Sequence, residues 1–139
     1  MKFLKILSVA LAMSMGFAVV SAPVWADGDV KRGKKVFKKC KACHKLVAGK
    51  KAVGPSLHGM FGRKAGTVKK FKFSKDMKKA GEKGLVWTDE TFLAYIKNPK
   101  KYVGNLVGKK KAKTRMVFRG LKKEKDRVNL LAYLKKATK

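Results

Sequence analysis

Acidic residues, cysteine and proline are all scarce in this sequence. Eight residues are Asp or Glu against 37 that are Lys or Arg, and the formal net charge is +29. A short, lysine-rich chain repels itself and builds only a modest hydrophobic core, so a buried cofactor would supply apolar surface that the polypeptide lacks. Two cysteines exclude a zinc site made of cysteine alone. No Pro-rich linker and no internal repeat divides the chain, which predicts one folded domain.

Long apolar runs are absent except at the N-terminus, in residues 6–20. Lys2 and Lys5 precede this run, and the small residues of 21–26 follow it. The layout is typical of a secretory signal peptide cleaved after Ala26. An uncleaved membrane anchor is the alternative, but about 15 residues is shorter than the roughly 20 that span a bilayer. We therefore expect residues 1–26 to be removed and residues 27–139 to fold as one domain in the periplasm.

Helical periodicity dominates the rest of the chain, and no run alternates as a strand would. Asp29 and Thr88 are suited to cap helices, and Asn98-Pro99 to end one. Glycine punctuates 49–66, and 102–115 is rich in glycine and lysine, so both segments are predicted to be loops. The fold class is therefore expected to be all-α. The predicted helices cover 29–41, 74–80, 88–98 and 123–137.

The strongest chemical signal is the motif Cys40-Lys41-Ala42-Cys43-His44. Two thiols separated by two residues can form thioether bonds to the two vinyl groups of a haem, and the adjacent histidine can then bind the iron. Attachment of this kind takes place outside the cytoplasm, so the predicted export favours it. The motif therefore predicts covalent haem.

Three other interpretations of the motif stay open on spacing alone. The cysteines could form a disulfide, although a thioredoxin-like protein should show a βαβ pattern, which this chain lacks. A zinc site could use Cys40, Cys43, His44 and His58, but their spacing is poor for it. A five-residue motif can also arise by chance.

A haem iron bound by His44 normally takes a sixth ligand, for which the sequence offers several candidates. Three methionines lie beyond residue 26, and each is also suited to fill a core: Met60, Met77 and Met116. Met116 ends a long flexible segment that could fold over the far haem face, so we expect it to be the ligand. His58 would give bis-histidine iron, but it lies in a Gly/Pro turn of limited reach.

The sequence resembles the class I cytochromes c, both the mitochondrial type and its long bacterial relatives. The resemblance extends over 28–138. It rests on an ordered series: Gly28-Asp29-Val30, Gly33 with Phe37, Cys40-Lys41-Ala42-Cys43-His44, Gly54-Pro55-Ser56-Leu57-His58-Gly59, Phe61-Gly62-Arg63-Lys64, Trp87-Thr88-Asp89-Glu90, Asn98-Pro99-Lys100-Lys101-Tyr102, Met116-Val117-Phe118 and the tail to Thr138. It implies crossed N- and C-terminal helices around one haem c, in a one-electron carrier of a respiratory or photosynthetic chain that is not an enzyme.

The resemblance also implies roles for individual residues. The metal ligands would be His44 and Met116, with the Pro55 carbonyl accepting the imidazole N–H. Arg63 and Trp87 would hold the haem propionates. The full set of expected cofactor-binding residues is Cys40, Cys43, His44, Pro55, Arg63, Trp87, Tyr95, Thr114, Met116 and Phe118. Within it, Tyr95 would approach the methionine, Thr114 would support its loop and Phe118 would cover the haem edge.

Two features depart from the family pattern. Phe73 stands where the family usually has tyrosine, so one hydroxyl contact to a propionate is expected to be missing. Residues 103–113 form a longer segment than in mitochondrial forms, and 81–83 is also inserted. Both insertions resemble the long bacterial forms, and they leave the path of the chain into Met116 open.

Lysine is dense on both sides of the expected haem. Lys38, Lys39, Lys41 and Lys45 surround the cysteine motif, and Lys109-Lys110-Lys111, Lys113 and Arg115 precede Met116. A positive ring at the haem edge would steer acidic redox proteins into short-lived encounters. The resemblance implies a cytochrome bc complex as donor, and a terminal oxidase, peroxidase or reaction centre as acceptor.

Other uses of the charge, and other functions, stay open on the sequence. We expect no specific nucleic acid partner, peripheral contact with anionic membrane, and a monomer. A haem enzyme or ligand sensor with Met116 displaced is the main alternative function. A haem-free basic binding module is a third.

Overall fold

A computed structural model describes residues 28–50 and 52–139, so the predicted signal peptide lies outside the described residues. This part of the chain contains five helices: α1 (Val30–Phe37), α2 (Lys75–Glu82), α3 (Asp89–Lys97), α4 (Pro99–Val107) and α5 (Glu124–Ala137). One isolated bridge joins Lys64 to Val86, and no strand forms among the described residues. The all-α prediction is confirmed. None of the described helices combines the length and apolar character that a membrane crossing requires.

Side-chain caps fix where the first three helices begin. The Asp29 side chain accepts a hydrogen bond from the amide of Arg32, and Ser74 does the same for Met77. Thr88 caps α3 in a reciprocal arrangement with Thr91. Each cap satisfies a backbone amide that the first helical turn leaves without a partner. The predicted starts of these helices are therefore correct to within a residue or two.

Helices α1 and α5 cross at close range, as the resemblance implied. A Cβ added at Gly33 would lie 1.9 Å from the carbonyl oxygen of Asn129, so only glycine allows this approach. The Asn129 side chain in turn accepts from the amide of Asp29 at 2.8 Å. Beside the crossing, the rings of Phe37 and Tyr133 pack with centroids 5.4 Å apart. This crossing brings the two ends of the described chain together.

The prediction that 102–115 is a loop is wrong over its first half, which belongs to α4. Asn98 ends α3 and also caps α4, its side chain accepting from the amide of Lys101. Pro99 then occupies the first helical turn, where its missing N–H costs nothing. Val103 is fully buried, and α4 ends at Gly108, whose φ of +75° suits glycine.

The chain between α4 and Met116 turns back on the helix it has just left. The amide of Ala112 donates to the carbonyl of Lys100 at 2.9 Å, and Ala112 is buried. A Cβ at Gly104 would lie 2.6 Å from the carbonyl oxygen of Lys109, so this glycine lets the returning chain lie against α4. The path into Met116, which the sequence left open, is therefore a packed turn.

Candidate functional site

A cavity of about 440 Å³ opens between the helices, and mainly apolar side chains line it. Its volume lies within the range of roughly 300–1,000 Å³ that is typical of cofactor sites. Its walls come from the chain after α1, from α2, α3 and α5, and from the segment around Met116. All ten residues expected to bind the cofactor line it: Cys40, Cys43, His44, Pro55, Arg63, Trp87, Tyr95, Thr114, Met116 and Phe118.

A helical turn that continues beyond α1 presents the two cysteines and His44. The amides of Cys43 and His44 both donate to the carbonyl of Cys40, at 3.0 and 2.9 Å. Cys40 is half-buried and burial raises the pKa of its thiol, an effect that the charge of Lys39 opposes. Both cysteines are free rather than joined in a disulfide. The two thiols therefore stay available for chemistry at the cavity wall.

The zinc interpretation finds no geometric basis in this part of the protein. Within 28–50 and 52–139, no three His, Cys, Asp or Glu side chains come together as metal ligands would. His58 is not among the residues that line the cavity, and its carbonyl accepts from the Arg63 guanidinium at 2.8 Å. This histidine therefore belongs to a loop that holds Arg63.

The His44 ring has its orientation fixed by the loop that follows it. Nδ1 lies 2.8 Å from the carbonyl oxygen of Pro55. Because a carbonyl oxygen only accepts, Nδ1 must carry the proton, and Nε2 keeps its lone pair free to bind a metal. Gly54 presses against the same ring: a Cβ there would lie 2.5 Å from Cε1. The pair Gly54-Pro55 thus defines both the position and the tautomer of His44.

Met116 is held at the cavity by one contact to its side chain and one to its backbone. The Tyr95 hydroxyl lies 3.9 Å from Sδ, and the Thr114 hydroxyl donates to the Met116 carbonyl at 3.1 Å. Arg115 donates to the Lys72 carbonyl at 2.9 Å, which ties the segment to the chain before α2. Burial raises the pKa of Tyr95, so its hydroxyl keeps its proton and can donate to the thioether.

Aromatic rings pack around Tyr95 and make that wall of the cavity rigid. The Trp87 ring meets it edge-on at 4.8 Å between centroids, and the Tyr102 ring at 6.2 Å. Such edge-to-face pairs add about 0.5–1.5 kcal/mol beyond the area they bury. Tyr102 lies in α4, so this helix, which the sequence predicts to be a loop from residue 102 onward, also supports the site.

Arg63 is a cation in the cavity wall without an acidic partner in the described part of the chain. Its guanidinium donates to the carbonyls of His58 and Ser56, at 2.8 and 3.3 Å, and burial lowers its pKa. An arginine stays protonated at neutral pH and prefers a planar carboxylate partner. Its charge therefore fits an acidic group on a bound cofactor.

The cavity wall also contains apolar residues outside the expected cofactor-binding set. Met60 and Met77, which the sequence offered both as candidate ligands and as core residues, are buried and line the cavity. Phe73 also lines it and packs edge-on against Phe71 at 4.7 Å, with no hydroxyl on either ring. Apolar residues of this kind carry no local sequence signal for a cofactor, since the same types fill ordinary cores.

Taken together, these walls fit a haem of the c type. Two free thiols, an imidazole nitrogen with a free lone pair and a thioether meet in one apolar cavity, and an arginine cation supplies a partner for a carboxylate. Gly54 lets the imidazole lie where a side chain at that position would clash with it.

Comparisons with known proteins agree with this chemistry. The family model described as "Cytochrome c" matches residues 30–138. Cytochrome c2 of Afifella marina is 49% identical over 110 residues, covering 78% of this chain and 82% of the relative. Cytochrome c2 of Cereibacter sphaeroides is 42% identical over 134 residues, covering 90% and 91%. The solved structure of cytochrome c2 from Rhodospirillum centenum superimposes with a TM-score of 0.74 at 39% identity, covering 81% of this chain and 100% of that one.

Proposed function

This chain belongs to the cytochrome c family, whose members carry electrons on a covalently bound c-type haem, and from that premise we propose a specific site and mode of action. Cys40 and Cys43 attach one haem, and His44 and Met116 ligate its iron. The protein then acts as a one-electron shuttle of a respiratory or photosynthetic chain. The observation that carries the proposal is the meeting of the cysteine-histidine motif and Met116 in the wall of one cavity.

The haem, when bound, supplies an iron that alternates between Fe(II) and Fe(III). The protein's part is to hold both ligands still and to tune them. The hydrogen bond from His44 to Pro55 fixes the imidazole and makes it a stronger electron donor. The Met116 thioether favours the reduced state, and the Tyr95 hydroxyl draws electron density from its sulfur. Rigid walls keep the ligands in place in both oxidation states, as fast electron transfer requires.

Two protein ligands leave no position at the iron for a substrate, so we propose that the protein is not an enzyme. The competing function is a haem enzyme or sensor in which Met116 leaves the iron. The absorption spectrum of the oxidised protein separates the two. A weak far-red band from methionine-to-iron charge transfer is expected at neutral pH, whereas a high-spin spectrum would contradict the proposal.

Variants of the three methionines make that test specific. Met116→Ala should abolish the far-red band. Met60→Leu and Met77→Leu serve as matched controls, because both residues line the cavity and should leave the band in place. Loss of the band in Met77→Leu but not in Met116→Ala would assign the ligand to α2. Replacing both Cys40 and Cys43 by alanine should let acid-acetone extract the haem.

We also propose that the mouth of the cavity is where acidic redox partners dock. Val117 and Val53 line the cavity and are 95% and 78% exposed, which gives the mouth an apolar centre. Exposed cations neighbour, in the sequence, the cysteine motif and Met116, both of which line the cavity: Lys38, Lys39, Lys41, Lys45 and Arg115. Lys39 and Arg115 themselves line the cavity. A small apolar contact within a positive ring suits transient complexes.

Salt dependence tests the docking proposal. The bimolecular rate with an acidic redox partner should fall steeply as ionic strength rises, because screening shortens the reach of the positive ring. Lys41→Gln should reduce the rate at low salt, whereas Lys125→Gln, an exposed charge on α5, is the control. A rate independent of salt would contradict the proposal. Lys109 is left out of this ring, since its ammonium pairs with Asp76.

For the N-terminal segment we propose export and cleavage after Ala26, which puts the mature protein in the periplasm. The mass of the protein purified from the periplasmic fraction tests this directly. A mature chain beginning at Asp27 is expected. A full-length chain that stays with the membrane fraction would instead support the anchor.

A further inference from the structure

Asp76 is a buried carboxylate in a protein covered with lysine. It lies in the first turn of α2, and its side chain is 5% exposed. Oδ1 accepts a hydrogen bond from the ammonium of Lys109 at 2.5 Å, and Oδ2 accepts one from the backbone amide of Lys113 at 2.7 Å. Both oxygens of one carboxylate thus bind the same distant segment of the chain.

That segment, 108–115, connects α4 to Met116. It carries five cations, at 109, 110, 111, 113 and 115, and no acidic residue. These charges repel one another and the rest of a chain of net charge +29, so the segment tends to move away from the protein. Within the described residues, the ion pair that segment 108–115 makes is the one between Lys109 and Asp76.

The remaining hydrogen bonds of the segment are to backbone carbonyls. Ala112 donates to the Lys100 carbonyl on α4, and Arg115 donates to the Lys72 carbonyl. Neither contact cancels charge. Asp76, by contrast, neutralises the charge of Lys109. It also binds the backbone amide of Lys113, three residues before Met116. The next residue on α2, Met77, lines the cavity, so one turn of α2 contacts both the cavity and the segment.

We propose that Asp76 is a positioning residue for Met116, holding segment 108–115 closed so that the thioether stays at the iron. The inference rests on the proposed ligation by Met116 and adds to it the group that keeps the ligand in place. When the carboxylate is lost, the segment opens more often, and Met116 leaves the iron without the protein unfolding.

Imidazole binding to the oxidised protein measures this opening, because imidazole reaches the iron only when Met116 has left. Its apparent affinity scales with the population of the open state, so about tenfold more opening gives about tenfold tighter binding. Asp76→Asn should produce a change of this size. Asn has one oxygen and one NH₂ group, so it can satisfy only one of the two donors.

Matched variants separate the role of Asp76 from a general effect of charge. Glu82→Gln removes the same charge from an exposed position on α2, and its imidazole affinity should stay within about twofold of the wild type. Lys109→Met breaks the pair from the exposed side, and Lys110→Met is its control. If Asp76→Asn fails to fold, the comparison of these two lysine variants decides the matter.

A second measurement does not depend on the iron. Hydrogen exchange at the Lys113 amide, which donates to Asp76, should speed up in Asp76→Asn by a larger factor than exchange in α5. Equal acceleration in both places would mean that Asp76 only stabilises the whole fold, and it would overturn the inference.

The two proposals fail in different ways. Unchanged imidazole affinity in both Asp76→Asn and Lys109→Met, with the far-red band present in the wild type, would overturn the positioning role alone. A wild-type protein without that band would overturn the ligation by Met116, and the positioning role with it.

Discussion

Gly54 lies so close to the His44 ring that no residue with a Cβ atom fits at this position. A Cβ at this position would be 2.5 Å from Cε1 and 2.8 Å from Nδ1 of the imidazole. The amide of Gly54 also donates to the carbonyl of Cys43 at 2.7 Å, so the glycine cannot easily move away. The glycine, this hydrogen bond and the contact of Nδ1 with the Pro55 carbonyl therefore restrict the orientation of the imidazole.

Gly54→Ala should push the imidazole out of this arrangement and weaken its hydrogen bond to Pro55. We expect a changed midpoint potential, because the proposed ligand His44 would be tuned through that bond. Gly59→Ala is the control: its φ of +57° costs about 1 kcal/mol with a side chain, but no atom lies within reach of the added carbon. A redox titration in which both variants match the wild type would show that the contact has no effect.

Gly33→Ala should strongly destabilise the crossing of α1 and α5. The added carbon would lie 1.9 Å from the Asn129 carbonyl oxygen, so the helices must separate. We expect a loss of about 3 kcal/mol in the free energy of unfolding. Guanidinium unfolding followed by circular dichroism measures it, with the exposed Lys35→Ala as a near-neutral comparison. A cost below 1 kcal/mol, the size of an ordinary surface change, would contradict the close packing.

Tyr95→Phe should change how stability depends on alkaline pH. Burial raises the pKa of this phenol, so the unfolded chain releases the proton first. The stability from the buried neutral phenol is complete below about pH 10 and is lost as the pH rises above it. The variant lacks this loss, so its stability relative to the wild type should improve between pH 9 and 11, roughly the range around the ordinary tyrosine pKa. Urea unfolding across that range measures the trend. A constant difference would show that Tyr95 ionises equally in both states.

The loss of stability caused by Asp76→Asn should be large at neutral pH and small in acid. The ammonium of Lys109, followed by the amide of Lys113, holds the pKa of this carboxyl below its ordinary value of 3.8. A depressed pKa contributes stability that is present above the ordinary value and is lost as the pH falls through the lower, folded value. The difference between variant and wild type should therefore be full at neutral pH and shrink below about pH 4. An unfolding midpoint that differs equally at pH 7 and at roughly pH 2.5, with Glu82→Gln for comparison, would contradict it.

Local signals were sufficient to predict four of the five helices and the cysteine-histidine motif. Asp29 and Thr88 act as caps because their side chains reach amides three residues on, which depends on nothing distant. In α3, Phe92, Tyr95 and Ile96 have the spacing of one apolar helical face, and all three are buried. Such features are readable because the interactions that determine them lie within one or two helical turns.

The sequence does not predict helix α4, because its composition is typical of a loop. The pair Asn98-Pro99 is a typical signal for the end of a helix such as α3, but here the same two residues also begin the next helix. Gly104 weakens a helix in isolation, and only the return of the chain to within contact distance explains it. The Asp76–Lys109 pair joins residues 33 positions apart, and no local pattern marks either one among so many lysines. Contacts of this kind, between segments distant in the sequence, cannot be predicted from local patterns.

The C-terminus takes part in building the site. The carbonyl of Thr138 accepts from the amide of Gly59 at 2.7 Å, and its hydroxyl donates to the Leu134 carbonyl in the last turn of α5. Gly59 closes the loop that begins with Gly54 and Pro55 behind His44. For protein engineering, we expect changes that keep Thr138 in place to preserve its bond to Gly59. Removal of residues 138 and 139 is expected to loosen the loop behind His44, because the amide of Gly59 then loses its acceptor.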